Sequence, residues 1–310
     1  MASTTASPLV PIGTQVVTRV ATPRAPGESP RPRGAVGVVA AQPADGEERY
    51  RLRLVDGGEA RLRRPDFAVR KLDQSEGVRQ REELPSGFRV DDWVIYRCVV
   101  GSTAYGLAEP GSDLDRRGIY LPPADLHWSL QGVPEQVEND ATEEVYWELQ
   151  KFLALALKAN PNVLECLHTP MVELATPLAE ELLAMRAAFL SKLVYQTYNG
   201  YVVSQFRKLE QDLRVRGEIR WKHAMHLVRL LLAGIAVLRE GLVPVTVPPD
   251  QREWLLAIRR GEVPWDEVNR WRLELHRAFD AAYETTALPE RPGYERANAF
   301  LVRARRSMVR

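Results

Sequence analysis

Gly101-Ser102-Thr103-Ala104-Tyr105-Gly106 follows directly on the mostly apolar run Val94 to Val100, and Ser112-Asp113-Leu114-Asp115-Arg116-Arg117-Gly118-Ile119-Tyr120 comes soon after. The stretch reads as a strand, a glycine-containing turn, one or two helical turns, and a second strand carrying two acids. Side chains alternate faces along a strand, so Asp113 and Asp115 share one face and Leu114 takes the other. Neighbouring carboxylates repel unless a cation or a proton lies between them. Hard divalent cations such as Mg2+ take carboxylate oxygens and usually keep substrate phosphates as further ligands. A Gly-Ser turn just upstream offers free backbone N–H groups and a hydroxyl to a phosphate. Gly101 also lets a backbone approach that phosphate closely. Together these residues predict a metal-plus-phosphate site. The plainer alternatives are an ordinary strand-to-helix turn and two acids paired with Arg116 and Arg117.

A third acid would complete a two-metal arrangement. It is expected on a neighbouring strand just before a helix that begins near Tyr146. Thr142-Glu143-Glu144-Val145 supplies two candidates, and strand parity lets only one face Asp113 and Asp115. Glu143 is preferred and Glu144 is the alternative. Further along, Lys222, His226 and Arg229 fall at i, i+4 and i+7 on one predicted helix face. Such a stripe could neutralise charge on a leaving pyrophosphate, or be a solvated or packing face. His223 and His226 lack further ligands at zinc spacing.

Working outward, Tyr146 to Leu157 has helical periodicity, with Leu149, Phe152, Leu153, Ala156 and Leu157 on one side. Asn160-Pro161-Asn162 stops that helix. From Pro177 helices are predicted throughout, roughly 177–190, 193–215, 219–240, 250–260, 264–285 and 293–308. On the N-terminal side, Lys71 to Arg89 is polar and reads as a linker. Before it, short alternating strands at 14–20, 34–40, 48–54 and 59–62 flank the hairpin signal Asp56-Gly57-Gly58. That density predicts a small antiparallel barrel, loosely similar to SH3-like barrels, with a basic edge at Arg61, Arg63, Arg64 and Arg70. The expected division is a β-barrel over 1–72, a linker over 73–89, a catalytic core over 90–175 and a helical region over 176–310.

The chain has 310 residues, 45% of them hydrophobic and 27% charged, and its net charge of +1 gives no global pull toward nucleic acid or membrane. Cys98 and Cys166 lie in apolar runs without metal-ligand spacing, as buried reduced thiols do. No leader pattern opens the sequence. The longest apolar stretch, Leu227 to Leu238, is short and broken by Arg229 and Gly234. A soluble cytoplasmic protein is expected.

A strand ending in Gly-Ser, then Asp-apolar-Asp, then a later acid on a third strand resembles the DNA polymerase β-type nucleotidyltransferase superfamily. Gly-Ser-x-Ala-Tyr-Gly with Ser-Asp-x-Asp-x-Arg-Gly-x-Tyr is similar to a narrower branch associated with RNA repair. Tyr146 to Phe152, Leu157 to Glu165, Gly200 to Gln205 and Lys222 to Leu230 follow in that branch's order. The resemblance covers about 92 to 245. It implies an α+β core in which Asp113, Asp115 and Glu143 are catalytic and bind Mg2+, two ions in number, with Mn2+ as a substitute. Gly101, Ser102, Lys222, His226 and Arg229 would bind the NTP, ATP being favoured. The acceptor would be an RNA end, and no membrane is involved. The rivals are a small-molecule or protein acceptor for the same chemistry, and a catalytically silent RNA- or protein-binding module. Arg207, Lys208, Arg214, Arg216, Arg220 and Lys222, with Trp221, could track nucleic acid, but the interspersed Glu210, Asp212 and Glu218 equally suit a salt-bridged surface helix.

Overall fold

The computed structural model describes residues 9–24, 27–44, 47–70, 88–139, 141–216 and 219–309. The chain divides into two compact units, Met1–Ser86 and Gly87–Arg310. The predicted linker lies almost wholly outside the described residues.

In the first unit, β1 (Gln15–Thr18), β2 (Val36–Ala41), β3 (Arg49–Leu54), β4 (Glu59–Arg63) and β5 (Phe67–Val69) form one antiparallel sheet in the order β4-β3-β2-β1-β5. Strict alternation puts Tyr50, Leu52, Leu54, Ala60 and Leu62 inside with Val16, Val39 and Phe67, and leaves the arginines of β3 and β4 outside. A 3-10 turn at Arg64–Asp66 carries the chain from one sheet edge to the other. Among the described residues no ladder joins β4 to β5, so the sheet is open and the closed barrel expected from strand density is not found.

The second unit is α+β. Its sheet has the order β10-β6-β7-β9-β8, built from β6 (Val94–Val99), β7 (Arg116–Tyr120), β8 (Gln136–Asn139), β9 (Glu144–Glu148) and β10 (Val172–Ala175). Only β7 and β9 run parallel, and the crossover between them holds α2 (Ala124–Trp128) and β8; α1 (Gly101–Ala104) lies earlier, between β6 and β7. Tyr146 and Trp147 belong to β9, and α3 (Leu149–Leu157) starts three residues later than its periodicity predicts. The Tyr146 ring occupies the space a side chain would take at Gly118, which fixes it in the sheet. Glu148 caps α3 by accepting the Gln150 and Lys151 N–H groups. Asn160 caps α4 (Pro161–His168) in the same way, with Pro161 in its first turn.

After α5 (Pro177–Ala184) come α6 (Leu193–Arg216), α7 (Trp221–Glu240), α8 (Pro249–Arg259), α9 (Trp265–Thr285) and α10 (Tyr294–Arg306). α7 packs against α6, α8 and α9, and Gly241 ends it in the left-handed conformation. It is long and apolar enough to cross a membrane. However, 67% of its apolar window is buried inside the protein, as befits the central helix of a bundle.

Candidate active site

The pairing of β6 and β7 runs up to the quoted turn, because the Val100 N–H donates to the Asp115 carbonyl at 3.0 Å. Gly101 then takes φ +71°, and a single helical turn follows. A Cβ at Gly101 would overlap the Asp115 carboxylate, so glycine is needed both for the backbone angle and for the space. Ser102 is half-buried, and its carbonyl accepts the Leu107 N–H at 2.8 Å. β7 begins only at Arg116, so Asp113 and Asp115 precede the strand they were expected to occupy. The reason is a closed turn just upstream, where Ser112 and Glu109 exchange hydrogen bonds and Gly111 has φ +85°. Asp113 is exposed. Asp115 is 30% exposed and lies 3.4 Å from Arg117.

In the parallel ladder Arg116 stands opposite Glu144, so the next position back sets Asp115 level with Glu143. The Glu143 carbonyl accepts the Arg116 N–H at 3.1 Å and Arg117 Nη1 at 3.0 Å. Its own backbone is left-handed, at φ 53°, and its side chain is exposed. Glu144 is engaged elsewhere: it accepts the Tyr146 hydroxyl at 3.3 Å and lies 4.0 Å from Arg116, which also pairs with Glu173. Among the described residues no three Asp, Glu, His or Cys side chains converge closely enough to hold a metal ion. Asp115 and Glu143 are thus level in register, Asp113 lies two residues before Asp115, and the three do not form one compact cluster. Asp115 leans on Gly101 and Arg117, while the other two point to open surface.

The stripe on α7 is not brought together as one cationic face. Lys222 is exposed. His226 is half-buried, and burial, with Arg229 and Lys222 adding to it, pushes its pKa down to about 3. It is therefore neutral at physiological pH. Arg229 is only 6% exposed; it pairs with Glu165 at 2.8 Å and lies 3.7 Å from the Tyr105 ring centroid. Burial alone would lower its pKa, but Glu165 and Tyr105 reverse that and hold it charged.

This network was not legible beforehand. The Tyr105 hydroxyl donates to the other Glu165 oxygen at 2.6 Å, and burial, then Glu165, raise its pKa well above the usual value. Glu165 is a lone acid in the apolar run of α4 and Arg229 a lone base in that of α7; that mismatch was the available signal. The segment after Tyr105 is held from a second side. Arg252 donates to the Gly106 carbonyl and Arg259 to the Leu107 carbonyl, both at 2.7 Å. Arg259 and Arg260 also pair with Glu109.

The chain matches the model of the RNA repair pathway DNA polymerase beta family over residues 69–303. It is also 27% identical, over 181 residues, to the uncharacterized protein YcgL of Bacillus subtilis (strain 168). That match takes in 57% of this chain and 63% of the relative, so the chain spans less than two thirds of the relative's length. The family match includes the Gly101 turn, both aspartates, Glu143 and the Glu165–Arg229 pair, and it reaches across most of the chain. The chain therefore belongs to the RNA repair pathway DNA polymerase beta family.

Proposed function

We propose that this chain is a divalent-metal-dependent nucleotidyltransferase. It moves a nucleoside monophosphate from an NTP, ATP being favoured, to an acceptor hydroxyl at an RNA end and releases pyrophosphate. The observation that carries the reading is the Asp115 carboxylate resting against left-handed Gly101 at the start of α1, level with Glu143 on the next strand. Family membership supports the reaction class, and the acceptor rests on that membership alone.

The donor set, three carboxylates, is of the kind a hard cation takes. Asp113 and Glu143 are exposed carboxylates, and the Asp115 carboxylate lies against Gly101 and 3.4 Å from Arg117. These three would hold Mg2+, two ions in the full arrangement, or Mn2+; the metal would polarise the α-phosphate and offset charge on the leaving pyrophosphate. Gly101 and Ser102 receive the triphosphate on backbone N–H groups and a hydroxyl. Lys222 supplies an exposed cation at the start of α7. His226 and Arg229 serve from behind, where Arg229 and Glu165 clamp Tyr105 and so fix the turn. Most of the catalysis is positioning. The first unit is an accessory module, 73–89 its linker, 90–175 the catalytic core and 176–310 a supporting helical region; the protein works in the cytoplasm.

The test is incubation of the purified chain with each labelled NTP, Mg2+ or Mn2+, and a panel of tRNA, end-variant RNA and protein fractions. Label is expected on RNA, and the Asp113→Ala, Asp115→Ala double variant is expected to abolish it. Label on protein or small molecules moves the acceptor to those classes. If the parent chain releases no pyrophosphate with any combination, the enzymatic reading fails.

A further inference from the structure

The outer face of β3 and β4 is a ladder of arginines. Arg49 stands opposite Arg63, Arg51 opposite Arg61, and Arg53 opposite Glu59. All five arginines are exposed. Like charges directly opposite each other destabilise an antiparallel pair, so the fold gains nothing from this choice. Among the described residues, the only carboxylate ion-paired with any of the five guanidinium groups is Glu48, 3.6 Å from Arg63 and itself 77% exposed; Asp66 accepts only the Arg63 backbone N–H, at 3.2 Å. Arg31 of the same unit shows what a structural arginine looks like here. It is 8% exposed, and it donates to Asp56 and to the Pro23 carbonyl, both at 2.5 Å.

We propose that this ladder is a docking surface for the phosphate backbone of RNA. The choice of RNA among polyanions rests on the acceptor reading above; the need for a polyanion rests on the ladder. Alternate residues of a strand stand about 6.8 Å apart and paired strands about 5 Å apart, so the guanidinium groups form two parallel columns. Each guanidinium can grip a phosphate with two parallel N–H donors. No aromatic side chain stands among the five, so nothing there stacks on bases. Contacts of this kind position a nucleic acid without reading its sequence.

The test uses the full chain, without NTP. Binding of two single-stranded RNAs of equal length and unrelated sequence is followed by fluorescence anisotropy over a series of KCl concentrations. The parent chain is expected to bind both alike. In Arg51→Gln with Arg61→Gln the slope of log affinity against log salt should be shallower by about 1.4, at about 0.7 per phosphate contact. That corresponds to a loss on the order of tenfold at ~0.1 M salt. Thermal stability of this variant should be unchanged or higher, because like-charge repulsion is removed. Arg51→Lys with Arg61→Lys should keep most of the slope. Unaltered affinity and slope in the glutamine variant would overturn the proposal. So would a fall in binding that merely follows a fall in Tm. Absence of nucleotidyl transfer sinks the enzymatic reading and spares the ladder, whereas transfer to RNA with an unchanged slope in the glutamine variant sinks the ladder alone.

Discussion

The Arg229 guanidinium lies 3.7 Å from the ring centroid of Tyr105, and both residues hold the same carboxylate, Glu165. Tyr105 directly follows the turn that begins at Gly101, so a buried ion pair between two helices fixes the back of the candidate phosphate site. Removing one partner of a buried pair leaves the other charge uncompensated and costs about 3–5 kcal/mol. Arg229→Met and Glu165→Gln should each destabilise the second unit by roughly that amount in denaturant unfolding. Tyr105→Phe keeps the ring and loses one bond to a charged acceptor, about 1.5–3 kcal/mol. If Arg229→Met unfolds at the parent's midpoint, the pair does not hold the turn.

Gly101→Ala probes the front of the same turn. A non-glycine residue in the left-handed region costs about 1–2 kcal/mol, and here the new methyl also displaces the Asp115 carboxylate. Stability should fall modestly while nucleotidyl transfer falls on the order of 10²-fold, the scale of a small misplacement of a catalytic group. Full transfer activity in Gly101→Ala would show that Asp115 is not used where it stands.

The sequence carries its strongest signals where spacing is local. α6 to α10 match their periodicity and stops closely, since 3.6-residue repeats and residues such as Gly241 act within one or two turns, whereas α5 ends at Ala184, six residues before its expected stop, and a 3-10 turn over Arg186–Phe189 follows. β5, β8 and β10 have three or four residues each and are defined by partners elsewhere in the chain, so composition does not reveal them. The site divides in the same way. Gly101 and Asp115 stand close together in sequence, and the contact that explains the glycine follows from the turn. The Glu165–Arg229 pair joins residues 64 positions apart. The α7 stripe had correct helical spacing, yet the packing of α6, α8 and α9 around that helix decided which cations are buried.

Glu143 and Glu144 can be separated by a pair of opposed effects. Glu143 is level with Asp115 but has a left-handed backbone, whereas Glu144 is occupied by Arg116 and Tyr146. Glu143→Gly should therefore raise stability by about 1 kcal/mol through relief of that angle, and should abolish transfer. Glu144→Gln should retain transfer, with a small stability loss from its two contacts. The reverse pattern in a pyrophosphate-release assay would make Glu144 the third acid.

Two histidines predict how stability depends on pH. Burial pushes the His226 pKa down to about 3 and that of His168 down to about 4, with nearby arginines adding to both shifts. Above about pH 6.5 each is neutral whether folded or unfolded, and neither affects the balance. As pH falls below that value the unfolded chain binds protons that the folded chain refuses. Stability is then lost at about 1.4 kcal/mol per pH unit for each histidine, until pH passes the folded values. Urea midpoints should therefore drop steeply between about pH 6.5 and pH 4. His168→Gln with His226→Gln should flatten that drop while leaving the loss below pH 4 that carboxylates cause. Because His226 is uncharged near neutrality, His226→Gln alone should leave the pH profile of transfer unchanged between about pH 6.5 and pH 8. An acid limb in that range shown by the parent and lost in His226→Gln would mean that His226 titrates in the working site, and that the turn behind Tyr105 is more open to water than its packing against Arg229 implies.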